Sequence, residues 1–312
     1  MRYHDSPPPP ESASPVPSDR PWFTRRSTLV VAVAALAPAC LAGWVLTQVL
    51  TGAGRAEGHD AKPPVATGGN PAASPSASAP ATPAAAAKGP LTGRTVVIDP
   101  GHNTGNFQHT DEIDQQVDIG TARKECDTTG TTTNSGYMEA EFTLDVSLRL
   151  RTVLEAQGAK VVLTHEADRT WGPCINERAR IGNEAKADAV VSVHADGVSA
   201  GSRGYHVILP AKVKGGAADT AAIVEPSRRL GERIAGNFAR TTGSAPANYL
   251  GSGTGLVVRD DLGGLNLSTQ PKVFIECGNM RDAKDAAQLT SPEWRQKAAQ
   301  GIADGIVGFL GG

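Results

Sequence analysis

Short apolar runs alternate with amphipathic stretches over the last two thirds of the chain. Runs rich in β-branched residues predict strands at residues 95–99, 160–164, 189–194, 204–209 and 272–276. Apolar residues at helical spacing predict helices near residues 138–157, 174–186, 219–240 and 293–309. Strands that are apolar throughout and separated by helices are typical of parallel sheets buried on both faces. We therefore expect one α/β domain over residues 91–312, with a mostly parallel, twisted sheet and helices on both faces.

The first ninety residues have a different composition and hold 15 of the 22 prolines. Residues 27–54 form a run of 28 residues without a charged side chain, which is long enough to span a bilayer. Arginines precede this run, so it is predicted to be a membrane anchor or an export signal that places the later residues outside the cytoplasm. Residues 1–26 are expected to form a disordered cytoplasmic tail, and the Ala/Pro/Ser-rich residues 55–90 a linker.

The charge of the chain argues against nucleic acid as a partner. Lysine and arginine total 30 against 32 aspartates and glutamates, for a net charge of −2. Residues 91–312 contain no basic cluster of the kind that binds a phosphate backbone.

Polar side chains stand where three predicted strands end. His102 follows the first strand, His194 ends the third, and Glu276 ends the last. Ligands of open α/β sheets bind beyond the carboxyl ends of the strands, so these side chains are expected to converge. A helical projection places Glu139 in the apolar stripe of the first helix, whereas Glu141 points away. A carboxylate buried in that stripe needs a charge partner, and a metal ion would supply one.

These residues suit a catalytic metal site. His102, Glu139 and His194 form a donor set that favours Zn²⁺ with a fourth position open to water. Zinc would lower the pKa of that water and polarise a bound carbonyl, and Glu276 would act as the general base. A structural role for either histidine is the alternative, and His165, at the end of the second strand, is a competing ligand.

Four sequence motifs resemble a known family. The residues VIDPGH (97–102), Glu139 with its helix, ADAVVSVHADG (187–197) and FIECGN (274–279) resemble the zinc-dependent N-acetylmuramoyl-L-alanine amidases of the Amidase_3 type, most of all their exported actinobacterial members. The resemblance spans roughly residues 94–310.

The resemblance implies one Zn²⁺ per catalytic domain, held by His102, Glu139 and His194, with Glu276 catalytic. It also implies hydrolysis of the amide between N-acetylmuramic acid and L-alanine, with peptidoglycan in the cell envelope as the substrate. The uncharged run predicts a membrane contact through residues 27–54 if they are not cleaved. A protein activator is unknown. Two other functions stay open at this point: a non-catalytic wall-binding protein with the same fold, and a zinc peptidase that cuts within stem peptides.

Further residues carry more specific expectations. Arg259 could hold a stem-peptide carboxylate or be a solvated loop arginine, and Asp99 could orient His102 or cap a turn. Because an exported protein can form disulfides, Cys126 and Cys174 are expected to pair and to clip the loop of residues 103–136. Cys277 is interpreted as a buried apolar residue, with a nucleophilic role as the alternative.

Overall fold

The computed structural model describes residues 89–166 and 168–311. The expected tail, the anchor or signal, and the linker up to residue 88 lie outside the described residues. In the described part of the chain, no helix combines the length and apolar character needed to cross a membrane.

A six-stranded sheet forms the centre of the fold. Its strands are β1 (Thr95–Pro100), β4 (Lys160–Leu163), β5 (Ala189–Asp196), β6 (His206–Pro210), β9 (Leu256–Arg259) and β10 (Lys272–Asn279). Across the sheet they lie in the order β4-β1-β5-β10-β6-β9. Two hairpins lie outside this sheet: β2 (Gln116–Asp118) with β3 (Arg123–Glu125), and β7 (Lys214–Gly215) with β8 (Ala218–Asp219). All pairs in the large sheet are parallel except β6 with β10, so the mostly parallel sheet is confirmed.

Seven helices connect these strands in the described residues. They are α1 (Thr110–Ile113), α2 (Glu139–Ala156), α3 (Ile175–Glu184), α4 (Val224–Thr242), α5 (Gly263–Asn266), α6 (Ala283–Leu289) and α7 (Pro292–Leu310). The predicted helix at 219–240 begins too early, because Ala218 and Asp219 pair with β7 instead. The strand β9, both hairpins and the short helices α1, α5 and α6 were not predicted.

Helices cover both faces of the sheet. The larger core lies on one face, where buried residues of α2, α4 and α7, such as Phe142, Phe238 and Ile302, pack against alternate residues of the strands. Full burial of each such side chain stabilises the fold by about 1.5–3 kcal/mol. The second face carries Val97 and Val190 and is covered by α3.

Alternation along β10 decides which residues can reach the second face. Val273, Ile275 and Cys277 point into the larger core, so Lys272, Phe274 and Glu276 point the other way. Register places Glu276 opposite His194 of β5 and His206 of β6. The buried position expected for Cys277 is therefore observed.

Candidate metal centre

The candidate site begins where β1 ends and the chain turns sharply at Gly101 and His102. The amide of Gly101 donates to the carbonyl of Val193 at 2.9 Å, and its carbonyl accepts from Thr143 Oγ1 at 2.7 Å. His102 has a left-handed backbone with φ of 62°, which costs a non-glycine residue about 1–2 kcal/mol. The surrounding contacts hold His102 in this conformation and direct its ring over the sheet edge.

Three donor side chains meet at this edge. Glu139 Oε1 lies 3.2 Å from His102 Nε2 and 3.1 Å from His194 Nδ1. The three ligand atoms that these residues offer lie within 4.8 Å of one another. The buried Glu139 also accepts hydrogen bonds from the amides of Ala195 at 3.1 Å and Thr131 at 3.0 Å. Residues that are distant in sequence thus form one compact N,N,O group.

The donor group fits a metal ion by its chemistry and by the space around it. His102 Nδ1 lies 3.0 Å from the carbonyl of Thr128. The Thr128 hydroxyl, which can donate or accept, lies 3.1 Å from the same nitrogen. Because a carbonyl oxygen only accepts, a proton on Nδ1 satisfies both contacts and leaves Nε2, which faces Glu139, as the nitrogen available to a metal ion. A Cβ on Gly101 would lie 2.3 Å from the His194 ring, and one on Gly130 would lie 2.8 Å from the His102 ring. The backbone at Gly101 and Gly130 therefore lies so close to the two histidine rings that a side chain at either position would clash with them.

The charges of Glu139, His102 and His194 affect one another. Burial opposes ionisation of Glu139, but His102 and His194 outweigh it and hold the pKa of this carboxyl well below its usual value. Burial likewise opposes a charged His102 ring, yet the Glu139 carboxylate beside it raises the pKa of His102 to about 9. A metal ion held by these three side chains would compete with the proton on His102.

Glu276 lies beside the donor group in a cleft of about 240 Å³. Its Oε2 is buried and has no hydrogen-bond partner among the described residues. Burial, with the nearby Glu139 and Asp196 carboxylates, raises the pKa of Glu276 well above its usual value, and Arg259 opposes this only in part. A carboxyl whose pKa is raised in this way is better matched to accepting and returning a proton than an ordinary carboxylate.

Arg259 and Asp196 line the cleft beside Glu276, and each is held by a further side chain. Arg259, at the end of β9, lines the cleft and donates two hydrogen bonds to Asp261, at 2.8 and 2.6 Å. Tyr249 donates to Asp196 at 2.9 Å, and burial together with that carboxylate raises the pKa of the phenol. Tyr249 was not considered in the sequence analysis, because it lies in a loop without a recognisable pattern.

The competing ligand His165 and the residue Asp99 have other surroundings than the donor group. His165 does not join the donor group: its ring is buried, with Nε2 3.1 Å from the carbonyl of Pro100. Asp99 neither orients His102 nor caps a turn, because its carboxylate accepts from Arg178 at 2.9 Å and Lys272 at 3.1 Å. Strand alternation points Asp99 at the α3 side of the sheet, where Arg178 and Lys272 engage its carboxylate.

The loop from 103 to 136 borders the site and carries Gly130 and Thr131. A disulfide joins Cys126 in this loop to Cys174, directly before α3. The amide of Ile175 also donates to the carbonyl of Cys126 at 2.7 Å. The loop is thereby attached to the helix that covers the second face of the sheet.

Comparison with known proteins places this fold among cell-wall enzymes. Residues 96–307 match a family described as N-acetylmuramoyl-L-alanine amidase. The chain is 41% identical over 221 residues to an N-acetylmuramoyl-L-alanine amidase of Mycobacterium tuberculosis, covering 70% of this chain and 88% of that protein. It is similar to the crystal structure of the amidase Ami1 from Mycobacterium smegmatis, with 40% identity and a TM-score of 0.65 over 71% of this chain and 98% of that one. The apo Ami1 of Mycobacterium abscessus gives 42% identity and a TM-score of 0.65, over 70% of this chain and all of that one.

Proposed function

The chain belongs to the N-acetylmuramoyl-L-alanine amidase family and acts on peptidoglycan, and we propose that its reaction depends on one zinc ion held by His102, Glu139 and His194, with Glu276 as the catalytic residue. The observation that carries this proposal is the convergence of the three donor atoms beside Glu276, whose buried Oε2 has no hydrogen-bond partner in the described part of the chain. The donor set and its open side are those of catalytic rather than structural zinc sites.

The bond to be cut joins the lactyl carbonyl of N-acetylmuramic acid to the amine of L-alanine. A zinc ion in this site would lower the pKa of a water molecule and polarise that carbonyl. Glu276 accepts the proton that the water loses as its oxygen attacks the carbonyl carbon. The same carboxyl then donates this proton to the nitrogen as the C–N bond breaks, so the products are a free lactyl acid and an intact peptide.

Arg259 is proposed to bind the substrate on the Glu276 side of the cleft. Its guanidinium is partly exposed and lines the cleft while Asp261 fixes its orientation. A planar guanidinium matches a carboxylate, and stem peptides carry carboxylates close to the scissile bond.

We also propose that the enzyme works outside the cytoplasm, in the cell envelope. Its peptidoglycan substrate and its relatives among cell-wall amidases support this location. Residues 27–54 would either anchor the chain in the membrane or direct its export, and they lie outside the described residues.

Product analysis tests the proposed reaction. The full chain is incubated with purified peptidoglycan, and the soluble products are identified by mass spectrometry. Intact stem peptides that begin with L-alanine are expected, together with glycan that carries free lactyl groups. Peptides that lack their first residues would indicate a peptidase, and an absence of released material would indicate a binding protein.

Metal dependence is tested on the same preparation. Removal of metal by a chelator should abolish release, and one equivalent of zinc per chain should restore it. Full activity of the metal-free chain would refute the zinc site while leaving the amidase reaction standing.

A further inference from the structure

Four charged side chains lie buried on the α3 side of the sheet, next to the candidate metal centre. They are Asp99, Asp127, Arg178 and Lys272, each less than a tenth exposed. Their charges balance, since there are two carboxylates and two cations. Burial of this many charges is costly unless each carboxylate lies beside a cation.

Arg178 of α3 is the centre of this cluster. Its guanidinium donates to Asp99 Oδ1 at 2.9 Å and to Asp127 Oδ2 at 2.8 Å. It also donates to the main-chain carbonyls of Pro100 and His102, at 2.5 and 3.0 Å. Arg178 thus contacts both the backbone of His102 and the carboxylate of Asp127, which lies in the disulfide-linked loop.

Asp127 and Thr128 face the ring of His102 from that loop. The Thr128 carbonyl lies 3.0 Å from Nδ1, and Asp127 Oδ1 lies 3.7 Å from the same nitrogen. Asp127 Oδ1 also accepts from the Thr128 amide at 2.8 Å, while Asn106 Nδ2 donates to Oδ2 at 3.1 Å. Asn106 Nδ2 also donates to the Thr128 carbonyl itself, at 2.8 Å. The Asp127 carboxylate thus holds the Thr128 carbonyl beside the histidine in two ways, through the Thr128 amide and through Asn106.

We propose that Asp127 is a positioning residue for the metal centre: held by Arg178, it keeps the Thr128 carbonyl against His102 Nδ1, so that His102 presents Nε2 to the zinc ion. The inference rests on the zinc site proposed above. Partners of this kind fix the tautomer and the ring orientation of a metal-binding histidine. The disulfide at Cys126, the neighbour of Asp127, limits movement of the same segment.

The substitution Asp127→Asn tests the role with little change in shape. An asparagine oxygen can still accept from Thr128, but its amide group would face the guanidinium of Arg178 and repel it. Loss of an outer partner typically weakens metal binding by about 10–100-fold, and we expect a loss of that size in zinc affinity.

Asp145→Asn is the matched control. Asp145 of α2 accepts from Arg149 and Arg295, each at 2.7 Å, and contacts none of the candidate ligands. Zinc affinity of the full-length wild type and of both variants is measured by competition with a chromogenic chelator. Thermal unfolding of the zinc-free forms is followed in parallel. Only Asp127→Asn should lose zinc affinity, whereas both variants lose an arginine partner.

The outcomes separate the two proposals. If the wild type binds no zinc, the proposed metal site is wrong. If the wild type binds zinc and Asp127→Asn binds it equally well, the positioning role is refuted.

A measurement on the wild type covers the case in which the variant does not fold. ¹⁵N NMR of the histidine rings, with His102 assigned by its own substitution, should show a protonated Nδ1 and a metal-bound Nε2. Zinc on Nδ1 of His102 would overturn the inference.

Discussion

Gly101 offers a direct test of where the His194 ring must lie during catalysis. This residue follows β1, and its own backbone is compatible with alanine because its φ is not positive. The only obstacle to Gly101→Ala is therefore the added methyl group, which would lie 2.3 Å from Cε1 and 2.5 Å from Nδ1 of His194.

The structure gives the size of the disturbance. An ordinary contact begins near 3.4 Å, so the ring or the backbone has to move by about 1 Å. Hydrogen bonds to Val193 and Thr143 hold the Gly101 backbone, so most of the movement falls on His194. Overpacking of this kind costs about 1–3 kcal/mol of stability. A misplacement of about 1 Å in a catalytic constellation costs about 100-fold in rate, which corresponds to about 2.7 kcal/mol.

The assay compares zinc affinity, kcat/KM on purified peptidoglycan and thermal stability. Gly236→Ala serves as the control, because this exposed glycine of α4 has open space where a Cβ would stand. Alanine in a helix interior should stabilise the protein by about 0.5–1 kcal/mol relative to glycine, with no change in activity. Gly101→Ala should instead lose about 100-fold in kcat/KM and bind zinc more weakly.

The reasoning is refuted if Gly101→Ala remains folded, binds zinc as tightly as the wild type and retains its kcat/KM. The His194 ring would then tolerate displacement, and His194 would not be a metal ligand at the position described.

Three further predictions concern single residues of the site. Glu276→Gln should retain zinc, measured by metal analysis, and lose about 10²–10⁴-fold in turnover, because it removes the proton acceptor; full activity would disprove that role. His194→Ala should lose zinc while His165→Ala keeps it, since only His194 belongs to the donor group; the reverse pattern of zinc contents would overturn the assignment. Because Glu139 raises the pKa of metal-free His102 to about 9, a proton competes with zinc below that pH. Apparent zinc affinity should therefore rise about tenfold per pH unit from 6.5 to 9 and then level off, and a flat profile in chelator competition would contradict this.

Much of the fold could be predicted from the sequence because β1, β5 and β10 each contain a run of apolar, mostly β-branched residues and α2 and α7 follow a helical period. The edge strand β9 escaped prediction, since it is short, follows a glycine-rich stretch and leaves half of its residues exposed. The antiparallel direction of β6 could have been predicted from the length of the connection before it. The connection of residues 197–205 is shorter than the dozen or more residues that a crossover between parallel strands needs.

The candidate site was predictable wherever a local rule applied. Helical periodicity selected Glu139, and the rule for strand ends selected His102, His194 and Glu276. No local rule links Asp99 to its partners, because Arg178 and Lys272 lie 79 and 173 residues away in the chain. Pairing at such separations is decided by the packing of α3 on the sheet and by the position of β10, which β5 separates from β1. The contact with His102 or the turn cap expected for Asp99 from sequence is therefore not found.

Two groups of charged side chains lie near the sheet edge, the buried cluster around Arg178 and the carboxylates of the cleft. They differ in whether each carboxylate is paired with a cation. In the buried cluster every carboxylate has a cation within about 3 Å, which holds the pKa of Asp99 far below its usual range and makes the cluster a fixed support. In the cleft, Glu139, Asp196 and Glu276 face one arginine, and Arg259 is itself engaged by Asp261. Among the described residues, Glu276 is the carboxyl of this cleft left with an unpartnered buried oxygen, so the energetic cost falls on the side chain that we propose exchanges a proton. A divalent cation in the donor group would offset this cost, which would couple metal binding to the ionisation of Glu276.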